Sequence, residues 1–593
     1  MDELDNEVRS LNNGKCRDTS KVFAEMIKQG GPQLKHALLY LYNGLIQPNA
    51  ETPQQWKQTV MTVIHKSGDP QQPSNYRPIA IISILYKLFA RLLYCRLAPQ
   101  LNAEQTSDQA GFRPNFSALD HLFVFTCIEE KAHEYNLPVW LAALDFKKAF
   151  DTVEHHHVWT ALETQGIATP YISLLRSLCT DQTGRVRTDV MSKQFNIERG
   201  TKQGDPLSSM LFNALLEHIM RPIKEKWSKR KYGIKLNDDD DSTLTNLRFA
   251  DDILFTGTTL HQTREMLKDI KQAAENVGLH LHPDKSEILS NTTKNTGRPT
   301  KQHITIDNDN IEILPRQATM KYLGRQIGFE DIHKKELEHR IQRGWASFTK
   351  FKQELTSKHY PLSARLRLFE SVVTPTVLYG SPAWTLTKEL EYTLQRAQRK
   401  MLRMVLGASR RKASLQQRTQ PEETTTTAAN THDATATTTE TQQHDKCDAD
   451  DDTVSEDDAD VKSNITQQSA AGENEPDEDM MESWGEWLKR VTRQAEQQLK
   501  RINIETWTQS ARKQKWRFIN SVANMNHDKW TKKAAFWEPT ATTAKAKRAE
   551  GHPRKRWIDD INKYLQQQQI HNNAWTLSRN KKHVARSGVQ LRL

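Results

Sequence analysis

Cysteine is scarce and scattered. The five present, Cys16, Cys95, Cys127, Cys179 and Cys447, form no CxxC pair, so neither a disulfide framework nor a zinc knuckle is legible, and a reducing compartment is the default. Long apolar runs are missing too. The most apolar stretch, Pro78 to Tyr94, is interrupted by Lys87 and Arg91, so it reads as a buried strand and helix and not as a membrane span. The start, Met1-Asp2-Glu3-Leu4-Asp5, is acidic and no apolar segment follows, which argues against a signal peptide. No internal repeat is visible.

What is present is a long and unevenly charged chain. Its 593 residues exceed one compact core and suggest roughly three to five modules. The net charge of +11 hides an acidic segment: residues 421–480 hold 18 Asp or Glu against two Lys, about −16, which leaves about +27 on the remainder. Such a surplus suits a polyanionic partner, because cations that neutralise phosphates release counterions. A solubilising surface explains the charge equally well.

Residues 411–480 turn into Thr, Ala, Gln, Asp and Glu, a composition that buries too little apolar surface to offset chain entropy, so a disordered linker is expected there. Beyond it, Trp484, Trp487, Leu488, Val491, Ala495 and Leu499 recur at helical spacing. Upstream, Leu337, Ile341, Trp345 and Phe348 form another apolar stripe, with helices expected near 361–378 and 386–406. Earlier still, Val139 to Leu144 reads as a buried strand, Leu247 to Phe255 as a hairpin and 260–277 as a helix. Strands and helices alternate irregularly, as in an α+β domain.

Asp145 ends the continuous apolar strand. A carboxylate so placed is costly unless it is paired or binds a cation. Asp251 and Asp252 fall at the tip of the expected hairpin, in Phe249-Ala250-Asp251-Asp252, where adjacent acids repel and a divalent cation relieves them. Three such carboxylates could hold two Mg²⁺ about 3.5–4 Å apart, one activating an attacking hydroxyl and one neutralising a leaving group. Taken alone, an Asp-Asp pair reads better as a solvated turn.

The company these acids keep decides the reading. Leu144-Asp145-Phe146-Lys147-Lys148-Ala149-Phe150-Asp151, then Gly200-Thr201-Lys202-Gln203-Gly204-Asp205-Pro206-Leu207-Ser208 with Phe212-Asn213, then Phe249-Ala250-Asp251-Asp252 follow one another. Gly278-Leu279 through Pro283-Asp284-Lys285-Ser286 and Tyr322-Leu323-Gly324 come next. In this order they resemble the motif series of reverse transcriptases. Trp56, the stretch Val63 to Asp69, Asn75-Tyr76-Arg77-Pro78-Ile79 and Gln109-Ala110-Gly111-Phe112-Arg113 resemble the fingers of the non-LTR (LINE-type) retrotransposon enzymes. Gly551 to Asp560 resembles a segment that follows the polymerase in such elements.

The resemblance implies an RNA-directed DNA polymerase. Asp145, Asp251 and Asp252 would bind two Mg²⁺, with Mn²⁺ an alternative. Phe150 matches the aromatic that blocks a ribose 2′-hydroxyl; an ordinary buried Phe is its other reading. Gln203 and Gly204 would let the backbone approach the template and the incoming base, since Gly lacks a Cβ. Lys66 and Arg77 are candidates for the triphosphate, with a solvated surface cation the alternative for each. Lys285 would donate a proton to departing pyrophosphate. The implied partners are an RNA template, a DNA or RNA primer and deoxynucleoside triphosphates, in the nucleus, with no membrane.

Other features read as structural. His155-His156-His157 is taken as an exposed helix start, because three consecutive side chains converge poorly on one ion. His280 and His282 share a strand face, and Asp151 is expected to bond near the following helix, not to a metal. The basic, Trp-containing tail (Arg512, Lys513, Lys515, Trp516, Arg517; Lys545, Lys547, Arg548) is either a phosphate grip or a solvated face. No nuclease motif precedes the fingers, and Asn12-Asn13-Gly14-Lys15-Cys16-Arg17-Asp18 matches the expected Gly-rich loop only weakly. The expectation is copying machinery without cutting machinery, any nick coming from a separate endonuclease.

The expected architecture is a right-hand polymerase: fingers and the start of the palm at 1–138, palm at 139–328, a helical thumb at 329–410, the linker at 411–480 and a basic helical region at 481–593. The rival is a silent or domesticated retrotransposon fragment acting as an RNA-binding protein. An RNA-dependent RNA polymerase fits Phe150 and Gln203-Gly204-Asp205-Pro206 less well.

Overall fold

The computed structural model describes residues 1–593 apart from 16, 17, 19, 49, 67, 237–242, 294–301, 412–480, 540–547, 552 and 568–593. The expected linker, except residue 411, falls outside the described residues, as do Lys545, Lys547 and the terminal segment Ser587 to Leu593. Two compact units form. The first joins Met1–His339 with Gly380–Thr387 and Ala511–Leu593; the second joins Arg340–Tyr379 with Lys388–Ser510.

In the first unit a four-stranded sheet comes early in the chain. Strands β1 (Gln58–His65) and β2 (Tyr76–Ile81) form an antiparallel pair, and β4 (Gln182–Arg187) and β5 (Phe195–Ile197) extend it in the order β2-β1-β4-β5. The apolar stretch read as a strand and helix is β2 followed by the helix Ile84–Glu104.

The larger sheet has six strands in the order β11-β12-β10-β3-β9-β8. Its centre is β3 (Trp140–Leu144), flanked by β9 (Asp252–Gly257) with β8 (Asn246–Phe249), and by β10 (Glu287–Ser290), β12 (Asp309–Ile313) and β11 (Gln302–Ile306). Short hairpins β6 (Ile234–Lys235) with β7 (Thr243–Leu244), and β13 (Met320–Tyr322) with β14 (Arg325–Ile327), complete the strands described.

β3 is apolar along its whole length because both faces of this sheet are covered. Ala142, Leu144, Ile253 and Phe255 pack into one core with Phe212 and Leu215 of the helix Ser208–Lys229 and with Leu267 and Ile270 of the helix Leu260–Glu275. On the other face Leu141, Leu247, Leu254 and Leu289 pack with Leu122 and Phe125 of the helix Ala118–Glu134. Phe518, Trp530 and Trp557 join that second core. The stretch expected as one C-terminal region is thus divided: the helix Trp484–Arg501 lies in the second unit, and the described residues from Ala511 onward in the first.

The second unit is helical where described, with Lys352–Thr356, Leu362–Val372, Thr374–Val377, Lys388–Leu406 and Trp484–Arg501. Trp507 stacks on Phe369 at 5.8 Å and donates its indole N–H to Thr374 Oγ1 at 2.9 Å. Ser483 and Glu486 cap the last of these helices reciprocally, and its buried residues include Trp487, Leu488, Val491, Ala495 and Leu499, the stripe that sequence spacing predicts. Among the described residues no helix is long and apolar enough to cross a membrane.

Candidate active site

The register of β3 on β9 pairs Leu144 with Ile253. One step further along both strands, Asp145, just past β3, and Asp252, the first residue of β9, come to the same end of the sheet, beside the β8–β9 turn that carries Asp251. That turn has two residues, Ala250 and Asp251, between the paired Phe249 and Asp252. Ala250 adopts φ +58°, the left-handed conformation that tight hairpins require.

A non-glycine residue held left-handed needs support, and the loop after the helix Ile84–Glu104 supplies it. Gln109 Oε1 accepts the Ala250 N–H and the Gly111 N–H, both at 2.9 Å. Gly111 runs so close to the turn that a Cβ there would lie 2.3 Å from Ala250 N. Asn213 donates to the Gly111 carbonyl at 2.8 Å. Beneath, Arg248 is fully buried and paired with Glu217 at 2.6 Å, and Tyr322 OH donates to the Leu247 carbonyl at 3.2 Å. Sequence reasoning placed Gln109 and Gly111 in a fingers motif and missed this role; only the amide of Gln109 and the absence of a side chain at Gly111 hinted at it.

Electrostatics test whether cations fit. Burial raises Asp252 to about 6, helped by the neighbouring Asp251 and Asp145. Asp251 is raised by burial and then by Asp145, while Lys66 and Arg77 pull the other way. A trio of oxygen donors that repel one another is the donor chemistry of a hard divalent cation, so the residues present fit one.

The other expected site residues gather around the trio. Lys285 Nζ lies 3.5 Å from Asp145 Oδ2. Its short helical turn, Pro283–Lys285, is held where the His282 N–H donates to the Asp145 carbonyl at 2.8 Å. Lys66 and Arg77 are exposed on the β1–β2 hairpin and act electrostatically on Asp251. Phe150 stacks on Phe212 at 4.5 Å and meets Phe112 edge-on at 6.4 Å. Gln203 accepts the Ala80 N–H through its carbonyl at 2.8 Å and reaches Asp151 with its amide at 3.4 Å. Gly204 sits at φ +111°, where a Cβ would come within 3.1 Å of the Ala80 carbonyl. The close approach that this glycine permits is therefore to β2. A cavity of about 340 Å³, lined by Met61, Pro78, Ala80, Asp151, Arg199 and Gln203 among others, opens beside it.

Three features depart from their sequence readings. His155 begins a helix, as expected, but its ring contacts the Gly200 carbonyl at 2.8 Å, and it is Glu154 that draws close to His156 and His157. Lys515, read as either a phosphate contact or part of a solvated face, is buried, ion-paired to Asp560 at 2.9 Å and seated over the Trp557 ring. Trp516, the tryptophan named in that tail, is half-buried against the core that holds Trp530, Trp537 and Trp557.

Carboxylates at adjoining strand ends of a central sheet, with a cationic hairpin and a stacked aromatic pair in the same unit, sit in an α+β fold of the right-hand polymerase kind. Residues 64–327 match the family described as reverse transcriptase (RNA-dependent DNA polymerase). The retrovirus-related Pol polyprotein of the R2 element of Popillia japonica is 28% identical over 344 residues, covering 57% of this chain and 45% of that protein. The probable RNA-directed DNA polymerase from the Drosophila melanogaster X-element is 25% identical over 397 residues, 63% of this chain and 40% of that protein. Among solved structures, telomerase from Candida albicans aligns over 68% of this chain and 73% of that one, at 11% identity and a TM-score of 0.36. Residues 64–327, less than half of the chain, are thus similar to the reverse transcriptase domain, and the chain spans less than half the length of these two retrotransposon relatives.

Proposed function

We propose that this chain extends a primer 3′-hydroxyl with deoxynucleotides on an RNA template. The observation that carries the reading is the convergence of Asp145, Asp251 and Asp252 at adjoining strand ends of the central sheet, set by the β3–β9 register and the β8–β9 turn. These three residues would hold Mg²⁺, or Mn²⁺ in its place. Such cations, when bound, supply activation of the attacking hydroxyl and neutralisation of the leaving group.

The chain's own residues do the rest. Lys66 and Arg77 offset triphosphate charge, a reading supported by their lowering effect on Asp251. Phe150, braced from behind by Phe212, is the wall against a 2′-hydroxyl. Gln203 and Gly204 form the turn on which template and incoming base rest. Lys285, beside Asp145, donates the proton that departing pyrophosphate takes up. The nuclear location belongs to the same reading.

The test is primer extension on RNA with Mg²⁺ and all four deoxynucleotides, using the full chain with folding confirmed by thermal melting. Incorporation is expected, and Asp251→Asn should abolish it while leaving the melt cooperative. Salt-dependent RNA binding without incorporation, or full activity in Asp251→Asn, would overturn the proposal.

A further inference from the structure

The turn from Glu154 into the helix His155–Thr164 brings together two imidazoles and a carboxylate that take no part in the chemistry above. Glu154 Oε2 lies 3.7 Å from His156 Nδ1 and 3.8 Å from His157 Nε2. All three donor atoms fall within 4.8 Å of one another. Four-coordinate zinc with bonds near 2.0–2.1 Å places neighbouring donors about 3.4 Å apart; both carboxylate–imidazole separations lie close to that spacing, and the two rings, 3.8 Å apart between centroids and tilted by 39°, would turn toward one another to share an ion.

Two further observations favour a site over a chance meeting of side chains. His157 also hydrogen-bonds the backbone of Asn276, the kind of outer contact that orients metal-bound imidazoles. The same neighbouring turn packs closely on the Glu154 side chain, since a Cβ on Gly278 would come within 3.0 Å of Glu154 Cγ. His156 is the most open of the three, with 68% of its side chain exposed, so an ion can enter from solvent and water can complete its shell. A cation at a helix N-terminus meets an unfavourable dipole; the Glu154 charge offsets it.

We infer that Glu154, His156 and His157 form a binding site for a borderline divalent cation of the Zn²⁺ class, distinct from the carboxylate trio. Imidazole donors select Zn²⁺ or Co²⁺, whereas Mg²⁺ prefers oxygen alone. Occupied, the site pins the first turn of the helix that follows Phe150 and Asp151.

The test uses the full chain stripped of metal and then held in excess Mg²⁺, which occupies the carboxylate trio. Zn²⁺ is titrated against a chromophoric chelator, and Co²⁺ absorption reports imidazole ligation. One retained equivalent is expected. His156→Gln or His157→Gln should weaken it at least roughly tenfold, and the double variant should lose it along with any Zn²⁺-dependent rise in Tm. His303→Gln, on exposed β11, should retain it. No retained Zn²⁺, or an equivalent that persists in the folded double variant, would overturn the inference.

Discussion

Gln109 Oε1 accepts the backbone N–H of Ala250 at 2.9 Å, and so holds the turn that presents Asp251. The same oxygen accepts the Gly111 N–H at 2.9 Å. Gln109→Ala strands two buried donors at about 1–3 kcal/mol each and frees a left-handed residue that itself stores about 1–3 kcal/mol. The variant should fold with a lower urea midpoint. Its single-turnover incorporation should fall at least tenfold, because an error of about 1 Å in placement costs on the order of a hundredfold. A wild-type rate would refute the positioning role.

Gly111→Ala should be harsher on activity. Its new Cβ meets Ala250 N at 2.3 Å and Phe249 C at 2.8 Å. Both are backbone atoms, so the turn itself must move. Primer extension should drop below detection while circular dichroism and RNA binding persist; appreciable extension would show that the loop yields instead.

Much of this site was legible in sequence because its chemistry sits on local patterns. An apolar run ending in Asp145, and a hairpin around Asp251 and Asp252, follow from side-chain periodicity alone. The supporting contacts were not legible, because they are long-range. Nothing near Gln109 announces that it meets Ala250, and Tyr322 finds Leu247 only after the sheet forms. The tail misled for a related reason: Lys515 and Trp557 look alike whether solvated or buried, and Asp560, which pairs with that lysine, lies far along the chain.

Phe150 should govern sugar choice. It is braced against Phe212 at 4.5 Å, so Phe150→Ala opens space beside the incoming ribose without touching the carboxylates. The ratio of ribonucleotide to deoxynucleotide incorporation should rise by on the order of tenfold or more, since losing a steric or packing contact is worth roughly 1–3 kcal/mol in discrimination. An unchanged ratio would leave Phe150 as core packing.

His121 makes stability depend on pH. Burial lowers it to about 3, with Asp108 raising and Arg248 lowering it further, while its Nδ1 contacts Tyr322 OH at 3.1 Å. An unfolded histidine takes up a proton near 6.5. Below that value the unfolded chain binds a proton that the folded chain refuses, so this group's contribution falls from pH 6.5 towards 3, by up to about 1.4 kcal/mol per unit. The urea midpoint should drop between pH 7 and 5. His121→Gln should lessen that slope, and an identical slope would refute the assignment.

Trp530 ties the C-terminal residues to the active-site scaffold. Its indole N–H donates to Asp108 Oδ1 at 2.6 Å, and the Asp108 carbonyl accepts the Arg248 N–H at 2.7 Å, two residues before Ala250. Asp108 is also paired with Lys224 and held at about 2, below the usual carboxylate range, where burial alone would raise it. Trp530→Phe keeps most of the ring and loses one bond to a charged group, about 1.5–3 kcal/mol. Trp530→Ala also empties a core position, about 3–5 kcal/mol. If the tail braces the site, both variants should speed hydrogen exchange in the peptide spanning Arg248 to Asp252, with the alanine variant the faster. Faster exchange confined to residues beyond Ala511 would mean that the tail covers the sheet without bracing the turn.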